Sequence, residues 1–202
     1  MTDRSGSSTL IDVARPAKNT LLWDAALIVL FGTAMAAFAR ISFLLPFTPV
    51  PITGQTLGVL LTGALLGSRR GAIAMLVYLG EGLIGLPVFA QGASAWTPSV
   101  AIVPTIVGPS AGYLFSYPIA AFVVGFLAER GWARRFGSAV LTMFAGEAVI
   151  YAVGLPWLAL YVGARHAVPL GLLPFIPGDI AKLLLAAALL PSGWLFVSAI
   201  RH

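Results

Sequence analysis

Two charged side chains stand at the start of an otherwise apolar segment near the end of the chain. Asp179 and Lys182 are three residues apart within residues 173–190, and no other charged side chain lies in that segment. On a helix this spacing places both on one face, and Pro177 and Gly178 suit the entry to such a helix. In a membrane each isolated charge costs about 2.5–3.5 kcal/mol. The pair therefore indicates either a ligand-binding site or a structural ion pair that fixes neighbouring helices.

Three further polar side chains lie in or beside predicted helices. Glu147 is near the middle of a helix predicted over residues 138–162, and we expect it either to have a partner inside the bundle or to be protonated. Gln55 begins a short apolar helix, where it would hydrogen-bond a ligand or cap the backbone. Glu81 shares a helix face with Tyr78 and would either point into a site or bond water at the membrane surface.

The composition is that of an integral membrane protein. Of the 202 residues, 59% are hydrophobic and 9% are charged, whereas a soluble domain is about 25% charged. We therefore predict an all-α membrane protein with one domain over residues 21–202, preceded by a polar cytoplasmic tail over residues 1–20. That tail has no apolar stretch followed by a small-residue cleavage site, so we expect no cleaved signal peptide.

Several kinds of chemistry are disfavoured by what the chain lacks. There is no cysteine, which excludes disulfides, thiol catalysis and thiolate metal sites. There is no P-loop motif for ATP, and two histidines do not suit a histidine-based metal centre. The net charge of +5 does not indicate nucleic-acid binding, because the basic residues fall where membrane topology requires them.

Six apolar segments are predicted to cross the membrane. They cover residues 21–39, 55–67, 72–84, a segment that follows residues 108–113 and ends near residue 127, residues 138–162 and residues 178–200. Nine basic residues then fall on one side and two on the other: Arg4, Arg15, Lys18, Arg69, Arg70, Arg130, Arg134, Arg135 and Arg201 against Arg40 and Arg165. This asymmetry predicts that both termini are cytoplasmic. The irregular segments over residues 40–54, 91–108 and 165–177 then lie outside, above Asp179 and Lys182, which predicts a pocket open to that face.

Gly32 and Ala36 form a pair of small residues four apart on the first predicted helix. Such pairs let another helix approach closely in a membrane. The approaching helix is expected to belong either to this chain or to a partner protein.

Four segments resemble those of a known family, in the same order. They are residues 49–58 (PVPITGQTLG), 85–90 (GLPVFA), 108–114 (GPSAGYL) and 176–182 (IPGDIAK). On these segments the chain resembles the BioY family, the biotin-specific substrate-binding (S) components of energy-coupling factor (ECF) transporters. It departs from the family pattern over residues 91–107, which are longer and poorer in glycine than the usual loop.

The resemblance implies a six-helix bundle in the cell membrane of a bacterium or archaeon, with a biotin pocket near the outer surface and the first loop as its lid. It implies that Asp179 and Lys182 bind the ligand. It also implies that two separate ATPase subunits act through a transmembrane coupling subunit, while this chain needs no cofactor. Gly32 and Ala36 resemble the family's contact with that coupling subunit.

Biotin has groups that suit these side chains. A carboxylate such as Asp179 accepts ureido N–H bonds, and the Lys182 ammonium would donate to the ureido oxygen or to the carboxylate tail. The remaining candidates for ligand contact are Gln55, Tyr78, Phe89 and Tyr113, although the aromatic rings would equally serve as core.

Two other classes of function are consistent with the residues. One is a small integral-membrane enzyme that uses Asp179, Lys182 and Glu147, although no nucleophile–base arrangement or metal motif accompanies them. The other is a structural or assembly subunit without a ligand. Whether the chain forms a homo-oligomer is open at this point.

Overall fold

The computed structural model describes residues 9–13, 20–99 and 102–200, with side chains for residues 9–11, 20–99 and 102–192. Within these ranges the chain is mainly helical, with α1 (Leu10–Val13), α2 (Thr20–Arg40), α3 (Gln55–Leu66), α4 (Ser68–Leu83), α5 (Ala111–Glu129), α6 (Phe136–Val162), α7 (Ala164–Gly171) and α8 (Ile176–Ile200). Two strands, β1 (Ser42–Phe43) and β2 (Ile52–Thr53), join α2 to α3. The predicted helical class is confirmed. Four basic residues of the topology count lie outside the described residues: Arg4, Arg15, Lys18 and Arg201.

Three helices are individually long and apolar enough to cross a membrane. These are α2, α5 and α6, and α7 with α8 make a fourth candidate if the pair, bent by 53°, counts as one span. The shorter helices α3 and α4 have 12 and 16 residues. The described helices therefore match the predicted segments in position, and the count of six spans stays a prediction.

Part of the predicted N-terminal tail is structured. Thr9 is buried, and the single turn α1 packs against α3 and α8. Leu10 and Ile11 supply apolar side chains to the two core clusters, and this packing holds the turn against the bundle. Residues 1–8 and 14–19 of the predicted tail lie outside the described residues.

Helix α5 occupies the centre of the bundle, where it packs against α3, α4 and α6. Small residues allow this close packing. A Cβ at Gly63 of α3 would lie 2.5 Å from the backbone oxygen of Ala121, and one at Gly125 would overlap the backbone at Gly67. The contact between α5 and the α3–α4 turn is therefore backbone against backbone, which fixes the end of α3 and the start of α4 relative to α5.

The α3–α4 turn is held by a carboxylate. Gly67 ends α3 with a φ of +86°, and α4 begins at once. The Glu129 carboxylate accepts hydrogen bonds from the Ser68 backbone nitrogen at 2.7 Å and from its hydroxyl at 3.0 Å. This cap satisfies a backbone donor at the N-terminus of α4.

The predicted irregular segment over residues 40–54 is a short hairpin. Ser42 pairs with Thr53 and Phe43 with Ile52, in antiparallel register. Near its tip, the Thr48 hydroxyl donates to the Leu170 backbone oxygen of α7 at 2.7 Å. The hairpin is thus tied to α7.

The prediction of an irregular segment over residues 165–177 is wrong for its first half. Gly163, with a φ of +80°, ends α6, and α7 follows directly. Arg165, His166 and Pro169 made the sequence look like a loop. The buried residues Ala167 and Gly171 lie on α7, which packs against α6, so tertiary contact overrides the local signal.

Candidate ligand-binding cavity

A cavity of about 220 Å³ opens between the hairpin, residues 89–99 and helices α3, α5, α6 and α8. One enclosed water needs roughly 10–15 Å³ by the same kind of measure, so the cavity has room for a small molecule. Exposed Leu44 and Gln91 lie at its open end, and buried Gln55 and Asp179 lie at its inner end.

Asp179 and Lys182 both line this cavity. Asp179 is in the first turn of α8, and Lys182 follows on the same face, as the spacing predicted. The Lys182 ammonium donates to Asp179 Oδ1 at 2.8 Å and to the Thr56 hydroxyl of α3 at 3.2 Å. The Tyr151 hydroxyl of α6 donates to Asp179 Oδ2. Both carboxylate oxygens are therefore engaged, and the pair connects α8 to α3 and α6.

Gln55 lies at the first position of α3, with 3% of its surface exposed, and lines the cavity. Its side-chain nitrogen donates to the Tyr78 hydroxyl at 2.5 Å, and that hydroxyl donates to the Val88 backbone oxygen at 3.0 Å. The Gln55 backbone nitrogen donates a hydrogen bond to the Thr53 hydroxyl at 3.2 Å. The Gln55 side chain therefore bonds another side chain instead of capping the backbone.

The aromatic candidates separate into two groups. Phe89 and Tyr113 line the cavity, and the Tyr113 hydroxyl donates to the Gly171 backbone oxygen at 2.9 Å. Tyr78 is fully buried and does not belong to the described residues that line the cavity. It lies behind Gln55, with its ring edge-on to Phe89 at 5.3 Å between centroids.

Sequence reasoning missed three further aromatic residues of the cavity wall: Tyr117, Tyr151 and Phe175. Tyr117 lies four residues after Tyr113 on the same face of α5, and this spacing is the local signal that was available. Phe175 precedes α8 and carries no pattern of its own. Only the packing of α5, α6 and the start of α8 brings these three rings to one cavity.

The two other acids considered from the sequence, Glu147 and Glu81, are not among the described residues that line the cavity. Glu147 is 5% exposed, one turn before Tyr151 on α6, and neither carboxylate oxygen accepts a hydrogen bond from the part of the chain that the structure describes. The expected partner inside the bundle is thus not found among those residues. Glu81 accepts a hydrogen bond from the Thr33 hydroxyl at 2.6 Å, which links α4 to α2.

The Gly32–Ala36 pair is in contact with the chain itself. Gly32 is buried, and a Cβ there would lie 2.9 Å from the Ala74 backbone oxygen and 3.0 Å from a Val77 side-chain carbon of α4. Ala36 is partly buried and packs against the core. This geometry favours internal packing, and contact with a partner protein stays a prediction.

With this geometry in place, comparison with known proteins gives the family. The model of the BioY family matches residues 10–199. The chain belongs to the BioY family. The assignment made from the four ordered segments is confirmed.

Relatives support the same family along most of the chain. The biotin transporter BioY of Rhizobium etli is 37% identical over 175 residues, which cover 82% of this chain and 90% of the relative. The biotin transporter BioY of Thermotoga maritima is 38% identical over 144 residues, which cover 71% and 80%.

A solved structure shares the fold of this BioY-family chain. The crystal structure of the S-component for biotin from an ECF-type ABC transporter superposes with a TM-score of 0.72 at 25% identity, covering 88% of this chain and 93% of the other. The chain is therefore an all-α membrane protein with an S-component bundle.

Proposed function

We propose that this chain binds biotin from the outer side of the cytoplasmic membrane of a bacterium or archaeon and serves as the S component of an ECF transporter. The observation that carries the proposal is the Asp179–Lys182 pair, which lines the inner end of a ligand-sized cavity in a BioY-family chain. Pairs of charges inside a membrane are functional by default, because keeping them there is costly.

The cavity offers matching groups for the ureido end of biotin. Asp179 accepts a ureido N–H, because each of its oxygens has a lone pair beyond the one that Lys182 or Tyr151 uses. Lys182 has a third ammonium hydrogen beyond those given to Asp179 and Thr56, and it donates to the ureido oxygen. The carboxylate tail then points to the open end near Gln91, where it stays in water and avoids the cost of burial.

The apolar parts of biotin meet the cavity wall. Phe89, Tyr113, Ile150 and Phe175 line the same cavity as the charged pair. Aromatic and aliphatic walls with a few placed polar groups are typical of small-molecule sites. This wall favours a ligand with apolar parts, such as the thioether ring and aliphatic chain of biotin, over a more polar ligand.

We expect uptake to involve partner proteins. Membership of the BioY family implies that two separate ATPase subunits supply the energy through a transmembrane coupling subunit, with this chain as the non-enzymatic binding subunit. The lack of a P-loop in the sequence is consistent with that division of roles. The proposed topology has six spans with both termini in the cytoplasm, which places the cavity opening outside.

Incubation of the purified chain with labelled biotin tests the proposal. We expect saturable binding that approaches one biotin per chain and recovery of the label as unchanged biotin. Release of a chemically altered product would favour the membrane enzyme instead. Absence of saturable binding in folded protein would favour a purely structural subunit and contradict the proposal.

A further inference from the structure

Buried Tyr78 fixes which end of the Gln55 amide faces the cavity. The Val88 backbone oxygen can only accept hydrogen bonds, so the single hydroxyl hydrogen of Tyr78 goes to it at 3.0 Å. The Tyr78 oxygen is then left as an acceptor for the Gln55 side-chain nitrogen at 2.5 Å. A flipped amide would turn the Gln55 oxygen towards the Tyr78 oxygen. Either these two oxygens would face each other without a hydrogen between them, or the Tyr78 hydroxyl would donate to Gln55 and leave the Val88 backbone oxygen without a donor. Each arrangement leaves a buried polar group unsatisfied.

The other end of the same amide is free. The Gln55 side-chain oxygen accepts no hydrogen bond from the described residues, and it is not enclosed by protein, since Gln55 lines the cavity. Asp179 differs in this respect, because donors already engage both of its oxygens. Gln55 thus presents an unused acceptor of fixed orientation at the inner end of the cavity.

A five-membered cyclic urea needs acceptors on two sides. Its two N–H bonds point away from each other on opposite sides of the carbonyl group, so a single carboxylate cannot accept both in good geometry. Lys182 bonds Asp179 on one side and Thr56, the neighbour of Gln55, on the other. The ammonium thus contacts both Asp179 and the residue next to Gln55, and we expect the urea oxygen to meet it there.

We propose that the Gln55 side-chain oxygen accepts the second ureido N–H of biotin, and that Tyr78 is the positioning residue that holds this oxygen towards the ligand. This inference rests on the proposed function, since it takes the cyclic urea of biotin as the ligand. The inference also predicts specificity. A ligand that carries a hydrogen-bond acceptor in place of the second ureido N–H would face the Gln55 oxygen with a second acceptor and would bind poorly.

A double-mutant cycle tests the inference with biotin as the probe. Gln55→Met keeps the length of the side chain and removes the acceptor, and we expect it to weaken binding by about five- to 150-fold. Tyr78→Phe removes only the hydroxyl that orients the amide, and we expect a loss of about two- to tenfold. In the double variant, Tyr78→Phe should cause no further loss, because no amide remains to be oriented.

Two outcomes would overturn the inference. One is Gln55→Met protein that is folded by thermal unfolding and binds biotin as tightly as the wild type. The other is a Tyr78→Phe loss of equal size with and without Gln55, which would mean that Tyr78 acts by packing alone. Either result leaves the proposed function intact if the wild type binds biotin, whereas failure of the wild type itself would reject the proposed function.

A modified ligand gives an independent readout. Biotin methylated on one ureido nitrogen lacks that N–H donor. There are two such isomers, one for each ureido nitrogen. We expect one isomer to bind the wild type much more weakly than biotin but to show a markedly smaller penalty with Gln55→Met. Penalties that are the same in both proteins for both isomers would contradict the assigned contact.

Discussion

Replacing Gly32 with leucine distinguishes the two roles considered for the Gly32–Ala36 pair. A Cβ at Gly32 would already lie 2.9 Å from the Ala74 backbone oxygen and 3.0 Å from a Val77 carbon. The backbone oxygen cannot rotate aside, so leucine must push α2 away from α4. Overpacking of this kind costs about 1–3 kcal/mol. For a chain of this size that corresponds to a decrease in Tm of about 2–12 °C.

The assay is thermal unfolding of the purified protein in detergent, with biotin titration alongside. Ala37→Leu is the matched control, because Ala37 lies on the exposed face of the same helix and has room for the larger side chain. We expect the control to unfold at the wild-type temperature. If Gly32→Leu instead keeps the wild-type Tm and affinity and loses only biotin accumulation by the complete transporter, the internal contact is refuted and the partner contact is supported.

Three further predictions follow from the same structure. Reporter fusions at Arg69 and Arg135 should be cytoplasmic, and fusions at Trp96 and Arg165 should be external. A reporter found on the other side at any of these sites would contradict the six-span topology. Thr48→Val removes the hydroxyl bond from the hairpin to Leu170, so biotin should dissociate about two- to tenfold faster, and an unchanged dissociation rate would mean that this bond does not restrain the hairpin. Thr56→Val removes one acceptor of Lys182 and should weaken equilibrium binding by a similar factor without lowering Tm by more than a few degrees; unchanged affinity would show that this contact does not position the ammonium.

The sequence predicted the helices well because their apolar runs are long and end at clear signals. The first helix was predicted over residues 21–39 and is α2 (Thr20–Arg40), and the predicted start at Gln55 is the observed start of α3. Helix α7 was missed because Pro169 and two polar residues read locally as a loop, whereas contact with α6 stabilises a helix there.

The site was predictable only in part. Asp179 and Lys182 were found because charges in an apolar run stand out, and their shared helix face follows from spacing alone. Tyr151 was missed, because its bond to Asp179 joins two helices and the two residues are 28 positions apart in sequence. The placement of Tyr78 behind Gln55 also depends on packing between α3 and α4, which no local pattern encodes.

Biotin titration of four proteins tests the central claim most directly: the wild type, Asp179→Asn, Lys182→Met and the double variant, each with its thermal stability measured. Each single change should weaken binding by about 2–5 kcal/mol, which is roughly thirty- to several-thousand-fold in Kd, because a buried charged group loses its partner. Part of that loss would come from instability, since each single change leaves the other charge unpaired. The double variant removes both charges and separates the two effects. If the pair is the site, the double variant folds and does not bind biotin, whereas near-normal affinity in the folded double variant would contradict the assignment.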